Sequence, residues 1–168
     1  MAPVRAEDLE RLRDALAEHD VEYLFLGQMA AILQGYPDTT QDADLFVEKT
    51  TENGERLTRA LRALGFAIGE VEEADIRQGK DFIQLRSGPF DVDLVYAPDG
   101  IERYEDARRR GREIDGFRVC SMQDVIESKV RSNRDKDRES LPRLRDFARY
   151  LEREPRSDLR LLPPKRSR

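Results

Sequence analysis

The sequence is poor in the residues that build disulfides and soft-metal sites. It contains one cysteine, Cys120, and one histidine, His19, among 168 residues. A single cysteine excludes an intrachain disulfide, and a zinc site built on cysteines is not expected because such sites need several sulfur or imidazole ligands. A single histidine excludes a site built from paired histidines. Any bound metal would therefore be held by oxygen atoms, which favours Mg²⁺ or Mn²⁺.

Long apolar runs are also missing. No segment approaches the roughly 20 apolar residues that a membrane-spanning helix needs. The first ten residues, MAPVRAEDLE, are charged and lack the apolar stretch of a signal peptide. We therefore expect a cytoplasmic protein that has no membrane partner.

Charged residues, by contrast, are abundant. Asp, Glu, Lys and Arg make up 39% of the chain, where about a quarter is typical of soluble proteins, and the net charge is -5. This overall charge is not that of a basic nucleic-acid-binding protein, although the C-terminal part is locally basic. The length suits one domain with one core. We predict a single domain over residues 1–154, with a helical part from about residue 121, and a basic, flexible tail over 155–168.

Hydrophobic periodicity predicts an alternation of helices and strands. Apolar residues at helical spacing predict helices over 6–19, 29–34, 52–64, 101–110, 121–133 and 139–152. Short apolar or alternating runs predict strands over 23–26, 43–47, 82–86 and 90–96, the last two as a hairpin, with a strand or strand pair at 112–119. Residues 66–80 are predicted as a strand followed by a loop. This order predicts an α/β or α+β domain with a mixed β-sheet flanked by helices and with helices at its C-terminal end.

Two Asp-x-Asp pairs are the main candidates for a functional site. Asp42 and Asp44 alternate at the start of a predicted strand, so their side chains project from one face. Alone, this pair is more typical of a solvent-facing edge strand. Asp91 and Asp93 repeat the pattern on a mostly apolar strand, where charges are costly unless they are paired or bound to a metal. If the two strands are neighbours, three or four carboxylates converge and form the oxygen-rich cage that two-metal phosphoryl transfer needs.

A glycine between a strand and a helix is the third element. Gly27 follows the strand YLFL and precedes a predicted helix. Glycine at such a turn allows close approach of the backbone to a phosphate, and the start of the helix favours negative charge. By itself this is weak support, since most turns of this kind are purely structural.

The ordered set Gly27-Gln28, Asp42-x-Asp44 and Asp93 resembles the DNA polymerase beta-like nucleotidyltransferase superfamily, and especially its small bacterial members, the AbiEii-like and uncharacterised nucleotidyltransferases. LFLGQMAAILQGYPDTTQDADLFV resembles their opening segment, VDLVYAPDGIERYEDARRR their third-carboxylate strand, and SMQDVIESKVRSNRDKD their late helix. The resemblance covers roughly residues 20–150. It implies a nucleotidyltransferase fold.

The resemblance also implies roles for individual residues. Asp42, Asp44 and Asp93 would be the catalytic residues and the ligands of two Mg²⁺ (or Mn²⁺) ions, with Asp93 favoured over Asp91 as the third ligand. Nucleotide would be bound by Gly27, Gln28 and Lys129. Accessory positions would be Thr40, Asp91, Arg134, Lys136 and Asp137. Three positions depart from the family pattern: Gln28 stands where Gly or Ser is usual, Asp38 where a basic residue is common, and Ser140 where an acidic residue is often found.

The expected activity is transfer of NMP from an NTP such as ATP to a hydroxyl acceptor on an RNA end (tRNA included), a protein or a small molecule. A toxin–antitoxin enzyme is one version of this function. Two alternatives stay open. The chain would be an inactive module that keeps the fold and binds a nucleotide or a partner protein, which Gln28 favours, or a nucleic-acid-binding domain that uses its basic C-terminal helices.

Overall fold

Helices and strands alternate along residues 3–165, the part of the chain that the computed structural model describes. The helices are α1 (Ala6–Glu18), α2 (Gly27–Leu33), α3 (Thr51–Ala63), α4 (Glu70–Gln78), α5 (Tyr104–Arg110), α6 (Met122–Ser132) and α7 (Asp135–Arg153). The strands are β1 (Tyr23–Leu26), β2 (Asp42–Val47), β3 (Phe82–Leu85), β4 (Asp91–Val95), β5 (Arg112–Ile114), β6 (Phe117–Val119) and β7 (Arg160–Leu161).

The strands form one mixed sheet in the order β3-β4-β2-β1-β6-β5-β7. The pairs β2–β4 and β1–β6 are parallel, and the other neighbours are antiparallel. The sheet flanked by helices and the β3–β4 hairpin confirm the predicted architecture. The parallel pairing of β2 with β4 joins strands that two helices and a third strand separate along the chain, and it brings the two Asp-x-Asp pairs together.

Apolar side chains on both sides of the sheet form the main core. All four residues of β1 are buried, and the leucines of α1 and α3 that point to the sheet are inaccessible to solvent, among them Leu12, Leu16, Leu57 and Leu61. Burial of one such leucine contributes about 1.5–3 kcal/mol. The core therefore fixes the two helices and the central strands as one unit.

A second, smaller apolar cluster attaches the C-terminal helices. Ala31 of α2, Tyr36, Met122 and Leu144 of α7 are buried together, and Phe147 packs against them. The rings of Tyr36 and Phe147 meet edge to face with centroids 5.5 Å apart. This cluster seats α6 and α7 beside α2, at the end of the sheet where β1 ends.

The strand and loop predicted for residues 66–80 are wrong, because most of this segment is helix α4. Phe66 and Ile68 are buried as expected, but Val71 is 76% exposed, so the apolar alternation stops before it. The three glutamates in the first turn of α4 favour a helix start, since they complement the helix dipole. Gly79 ends the helix with a φ of +71°, a left-handed cap.

The C-terminal segment carries structure that the sequence did not indicate. Arg160–Leu161 form β7, which pairs with β5 at the sheet edge, and Arg108 donates a hydrogen bond to the carbonyl of Pro163 at 2.5 Å. Residues 166–168 of the predicted tail lie outside the described residues, and the domain division stays a prediction. Within residues 3–165, no helix is both long and apolar enough to cross a membrane.

The buried side chain of Asn53 ties the start of α3 to the sheet. Its amide oxygen accepts the backbone N–H of Glu22 at 2.8 Å, and its amide nitrogen donates to the carbonyls of Glu22 and Glu48 at 2.9 Å each. Glu22 and Glu48 flank the end of the β1–β2 pair that is opposite to Asp44. Asn53 therefore locks the register of the two strands from the far end.

We predict that Asn53→Ala lowers the free energy of unfolding by about 3 kcal/mol, because three hydrogen bonds at a buried site are lost. Urea denaturation followed by circular dichroism measures this change. The control is Gln78→Ala at an exposed position, which should stay within about 0.5 kcal/mol of the wild type. Equal losses in the two variants would contradict the role assigned to Asn53.

Candidate active site

Three carboxylates converge on two neighbouring strands. Asp42 and Asp44 lie on β2 and Asp93 lies on β4, and one oxygen of each lies within 4.8 Å of the others. The parallel register places Asp44 beside Asp93 and Asp42 beside Asp91. Asp93 is buried, while the side chain of Asp42 is 35% exposed. The convergence predicted from the two Asp-x-Asp pairs is present in the structure.

Gly27 leaves room for the Asp44 carboxylate. Its φ is +64°, and a Cβ atom built at this position would lie 2.3 Å from Oδ2 of Asp44. Any side chain would therefore be strained by the backbone conformation and would collide with the carboxylate. The glycine lets the first turn of α2 come close to the acidic cluster.

Arg86, a residue that the sequence analysis missed, bridges the carboxylates. Its Nη1 donates to Oδ1 of Asp93 at 2.8 Å, its Nε lies 3.6 Å from Oδ2 of Asp91, and its Nη2 lies 3.8 Å from Oδ2 of Asp42. A signal was present, because the hairpin pairs Leu85 with Val92 and so brings the next residue to Asp91. Cross-strand neighbours of opposite charge are expected to pair.

Two carboxyl groups of the acidic cluster have raised pKa values. Burial, together with the charges of Asp93 and Asp42, raises the pKa of Asp44 to about 7, and the attraction of Lys129 opposes this shift. Burial also raises the pKa of Asp93, although the hydrogen bond from Arg86 acts in the opposite direction. Both shifts disfavour the charged carboxylates, and a positive charge placed among them would favour the charged form.

The side chains between α6 and α7 form a charged corner that interacts electrostatically with the acidic cluster. The Asp137 carboxylate is fully buried and accepts hydrogen bonds from Ser132 at 2.5 Å and from Nε of Arg134 at 2.8 Å. Burial alone would raise the pKa of Asp137, but these hydrogen bonds hold it at about 2. Nζ of Lys129 lies 3.5 Å from Oδ1 of Asp137, and burial lowers the pKa of Lys129. Asp44 attracts both Lys129 and Arg134.

Comparison with known proteins supports the fold. No protein-family model and no curated protein matches the chain. Its structure is similar to that of a “putative nucleotidyltransferase” from Thermotoga maritima, with a TM-score of 0.55 and 16% identity over 84% of this chain and 92% of that chain. The chain has the nucleotidyltransferase fold. A “putative nucleotidyltransferase” from H. pylori aligns with a TM-score of 0.42 and 14% identity over 76% of this chain and 59% of that chain. Closer affiliation with AbiEii-like proteins stays a prediction.

Within this nucleotidyltransferase fold, two of the three positions that depart from the resembled pattern contact each other. Nε2 of Gln28 donates to Oδ2 of Asp38 at 2.7 Å. Gln28 lies in the first turn of α2, next to Gly27. The hydrogen-bonded pair of Gln28 and Asp38 is therefore beside the acidic cluster. Thr40 contacts the start of β2 and donates to the carbonyl of Asp42 at 3.4 Å. Lys136 is exposed on α7, apart from the buried corner.

Three basic residues of α6 and α7 are paired with acids on the same helix. Arg131 contacts Glu127 at 3.0 Å, Arg138 contacts Asp135, and Arg149 contacts Asp146. Such mixed charges form an ion-paired helix surface. The basic run that suggested nucleic-acid binding is therefore partly neutralised inside the nucleotidyltransferase fold.

The raised pKa of Asp44 predicts a pH-dependent cost to stability in protein freed of divalent cations. The folded chain holds the proton between an ordinary pKa of 3.8 and about 7, whereas the unfolded chain releases it, so stability falls as the pH rises through this window. Asparagine cannot ionise. Asp44→Asn should therefore be more stable than the wild type at pH 8, by up to about 4 kcal/mol, and the advantage should vanish below about pH 4.

Urea denaturation in EDTA at pH 4, 6 and 8 measures this dependence. Asp146→Asn is the matched control, because its side chain is 72% exposed, and its curve should run parallel to that of the wild type. An Asp44→Asn variant that is less stable than the wild type at pH 8 would show that the carboxylate charge is compensated in the fold.

Proposed function

We propose that the chain is a metal-dependent nucleotidyltransferase that transfers NMP from an NTP to a hydroxyl acceptor. The observation that carries this proposal is the convergence of Asp42, Asp44 and Asp93 within 4.8 Å in a nucleotidyltransferase fold. A purely structural cluster of this kind would be costly, since partly buried carboxylates repel one another. The cluster is better explained as a site that gains its missing positive charge from a ligand.

The donor set fits Mg²⁺ or Mn²⁺. Carboxylate oxygens are the ligands that these hard cations prefer, and no cysteine or histidine is found among the residues of the cluster. Asp42, Asp44 and Asp93 would hold the ions. When bound, the ions would neutralise charge on the triphosphate and favour ionisation of the acceptor hydroxyl.

The reaction is a substitution at the α-phosphorus of the NTP. The acceptor oxygen forms a bond to this phosphorus, the bond to the β-phosphate oxygen breaks, and pyrophosphate leaves. In this proposal the carboxylate of Asp93 takes up the proton of the acceptor hydroxyl as general base. Most of the rate enhancement would come from positioning and from charge neutralisation.

The first turn of α2 and the α6–α7 corner are the proposed nucleotide contacts. The first N–H groups of a helix have no partner within it, so the amides of Gly27 and Gln28 are suited to phosphate oxygens. Lys129 and Arg134 add positive charge that already interacts with Asp44. Asp137 fixes both cations through its buried carboxylate. Asp137 therefore acts as a positioning residue in this proposal.

The proposal also includes the class of acceptor. It is an RNA end such as that of a tRNA, a protein side chain or a small molecule, each of which offers a hydroxyl group. A toxin–antitoxin enzyme that modifies tRNA is the most specific version of this function.

Incubation with each labelled NTP, Mg²⁺ or Mn²⁺, total RNA and cell extract tests the activity. We predict label transfer by the wild type and its loss to background in the Asp42→Ala/Asp44→Ala double variant and in EDTA, because the cation site is removed in both cases. The acceptor is identified by digestion of the labelled fraction with ribonuclease or protease. Absence of label above the double variant under all conditions would contradict the proposal.

The comparison of Asp93→Asn with Asp91→Asn tests which carboxylate is the third ligand. Both residues lie on β4 and contact Arg86, but only Asp93 belongs to the converging trio. We predict that Asp93→Asn lowers kcat at least about 100-fold, the upper range for disturbed metal-site groups, and that Asp91→Asn loses far less. Steady-state transfer kinetics measure both changes. A larger loss in Asp91→Asn would exchange the two roles.

The contact between Gln28 and Asp38 favours one alternative, an inactive module that binds a nucleotide or a partner protein. This contact adds a carboxylate beside the proposed phosphate-binding turn, which opposes binding of a triphosphate. The alternative predicts no label transfer, together with weak or no cation-dependent NTP binding in equilibrium dialysis.

A further inference from the structure

Arg86 places a positive charge of the chain itself among the proposed metal ligands. We propose that Arg86 is an internal counter-ion that competes with divalent cations for Asp42 and Asp93 and thereby sets the cation affinity of the site. The inference rests on the metal-binding part of the proposed function. It makes Arg86 a positioning residue whose release from the carboxylates accompanies cation binding.

The geometry supports competition, since Arg86 and a cation would use the same carboxylates. The guanidinium donates to Asp93 at 2.8 Å and lies 3.8 Å from Asp42, and both belong to the converging trio. A carboxylate oxygen that accepts a charge-assisted hydrogen bond is less available to a cation. A fixed positive charge at this distance also repels a second one.

Arg86 has room to move away. Its side chain is 37% exposed, and Arg86 is the first residue of the loop that joins β3 to β4. The two carboxylates of β4 that it contacts are much less accessible, with side-chain exposures of 15% for Asp91 and 8% for Asp93, while that of Asp42 is 35%. The flexible partner of this ion-pair network is therefore the arginine, while the strands hold the acids in place.

A purely structural role predicts the opposite sign. If Arg86 only orients Asp93, its removal would misplace a ligand and weaken cation binding. If Arg86 competes, its removal strengthens binding, because the carboxylates lose their counter-charge. The sign of the change in affinity therefore distinguishes the two roles.

The test is Mn²⁺ binding to the full chain without nucleotide, followed by electron paramagnetic resonance at pH 8.5. We expect Arg86→Gln to lower the Kd for Mn²⁺ at least about tenfold. Arg86→Lys should give a smaller change, because an ammonium keeps the charge but cannot reach several carboxylates with one planar fork. Arg77→Gln is the matched control, since among the described residues Arg77 forms ion pairs with Glu55 and Glu73 on the surface, and the Kd of this variant should equal that of the wild type.

Thermal unfolding supplies a second measurement that does not depend on the enzyme's activity. In EDTA, Arg86→Gln should melt below the wild type, because the acidic cluster has lost its counter-ion. Saturating Mn²⁺ should raise the Tm of Arg86→Gln more than that of the wild type, since coupling between two cations at one site is reciprocal. An equal Tm difference with and without Mn²⁺ would overturn the competition.

The outcomes separate this inference from the proposed function. Mn²⁺ binding to the wild type with equal or weaker binding to Arg86→Gln would overturn the role of Arg86 and leave the metal site intact. Absence of Mn²⁺ binding to the wild type, to Arg86→Gln and to Arg86→Lys would overturn both the inference and the metal dependence. Tighter binding to Arg86→Gln without any label transfer by the wild type would support the inference and count against the proposed activity.

Discussion

Repulsion among carboxylates on β2 and β4 is the interaction around which the site is organised. The parallel pairing sets Asp42 beside Asp91 and Asp44 beside Asp93, so four acids lie on adjacent strands. Backbone hydrogen bonds and the buried core hold the strands in this register, and the side chains cannot separate. Relief must come from outside the two strands, either from positive side chains, from protons or from a bound cation. Burial and the neighbouring carboxylates together raise the pKa of Asp44 to about 7, although Lys129 attracts this carboxylate.

Two positively charged side chains approach the carboxylates from different elements of the fold. Arg86 comes from the hairpin beside β4, and Lys129 comes from α6 on the other side. The surroundings of the two side chains differ. Arg86 is partly exposed, whereas Lys129 forms an ion pair with the buried Asp137. In the proposed competition, Arg86 leaves the carboxylates while Lys129 keeps its contact with Asp137. A site with one fixed and one movable positively charged side chain is suited to exchange a ligand without loss of the fold.

Much of this arrangement could be predicted because it is local. Alternation on two apolar strands identified the acids, and the hairpin followed from the short turn between β3 and β4. Helix α4 was missed because Phe66 and Ile68 continue a strand-like alternation up to its first turn, where the charges that begin a helix resemble a loop. The position of Lys129 beside Asp44 depends on packing of α6 and α7 against α2 through residues such as Tyr36 and Met122, and no local pattern encodes such packing. Only the resemblance to a known family indicated it.

The contact between Gln28 and Asp38 changes how the departures from the family pattern are understood. Taken separately, a bulky amide and an acid at a phosphate-binding turn are two independent obstacles to a nucleotide. The hydrogen bond makes them one unit, in which the amide satisfies the carboxylate and the carboxylate holds the amide in place. A triphosphate would meet this unit on one side and the positive corner of Lys129 and Arg134 on the other. Under the proposed function, nucleotide binding therefore depends on this pair as a whole and on the opposing positive charges, rather than on Gln28 alone.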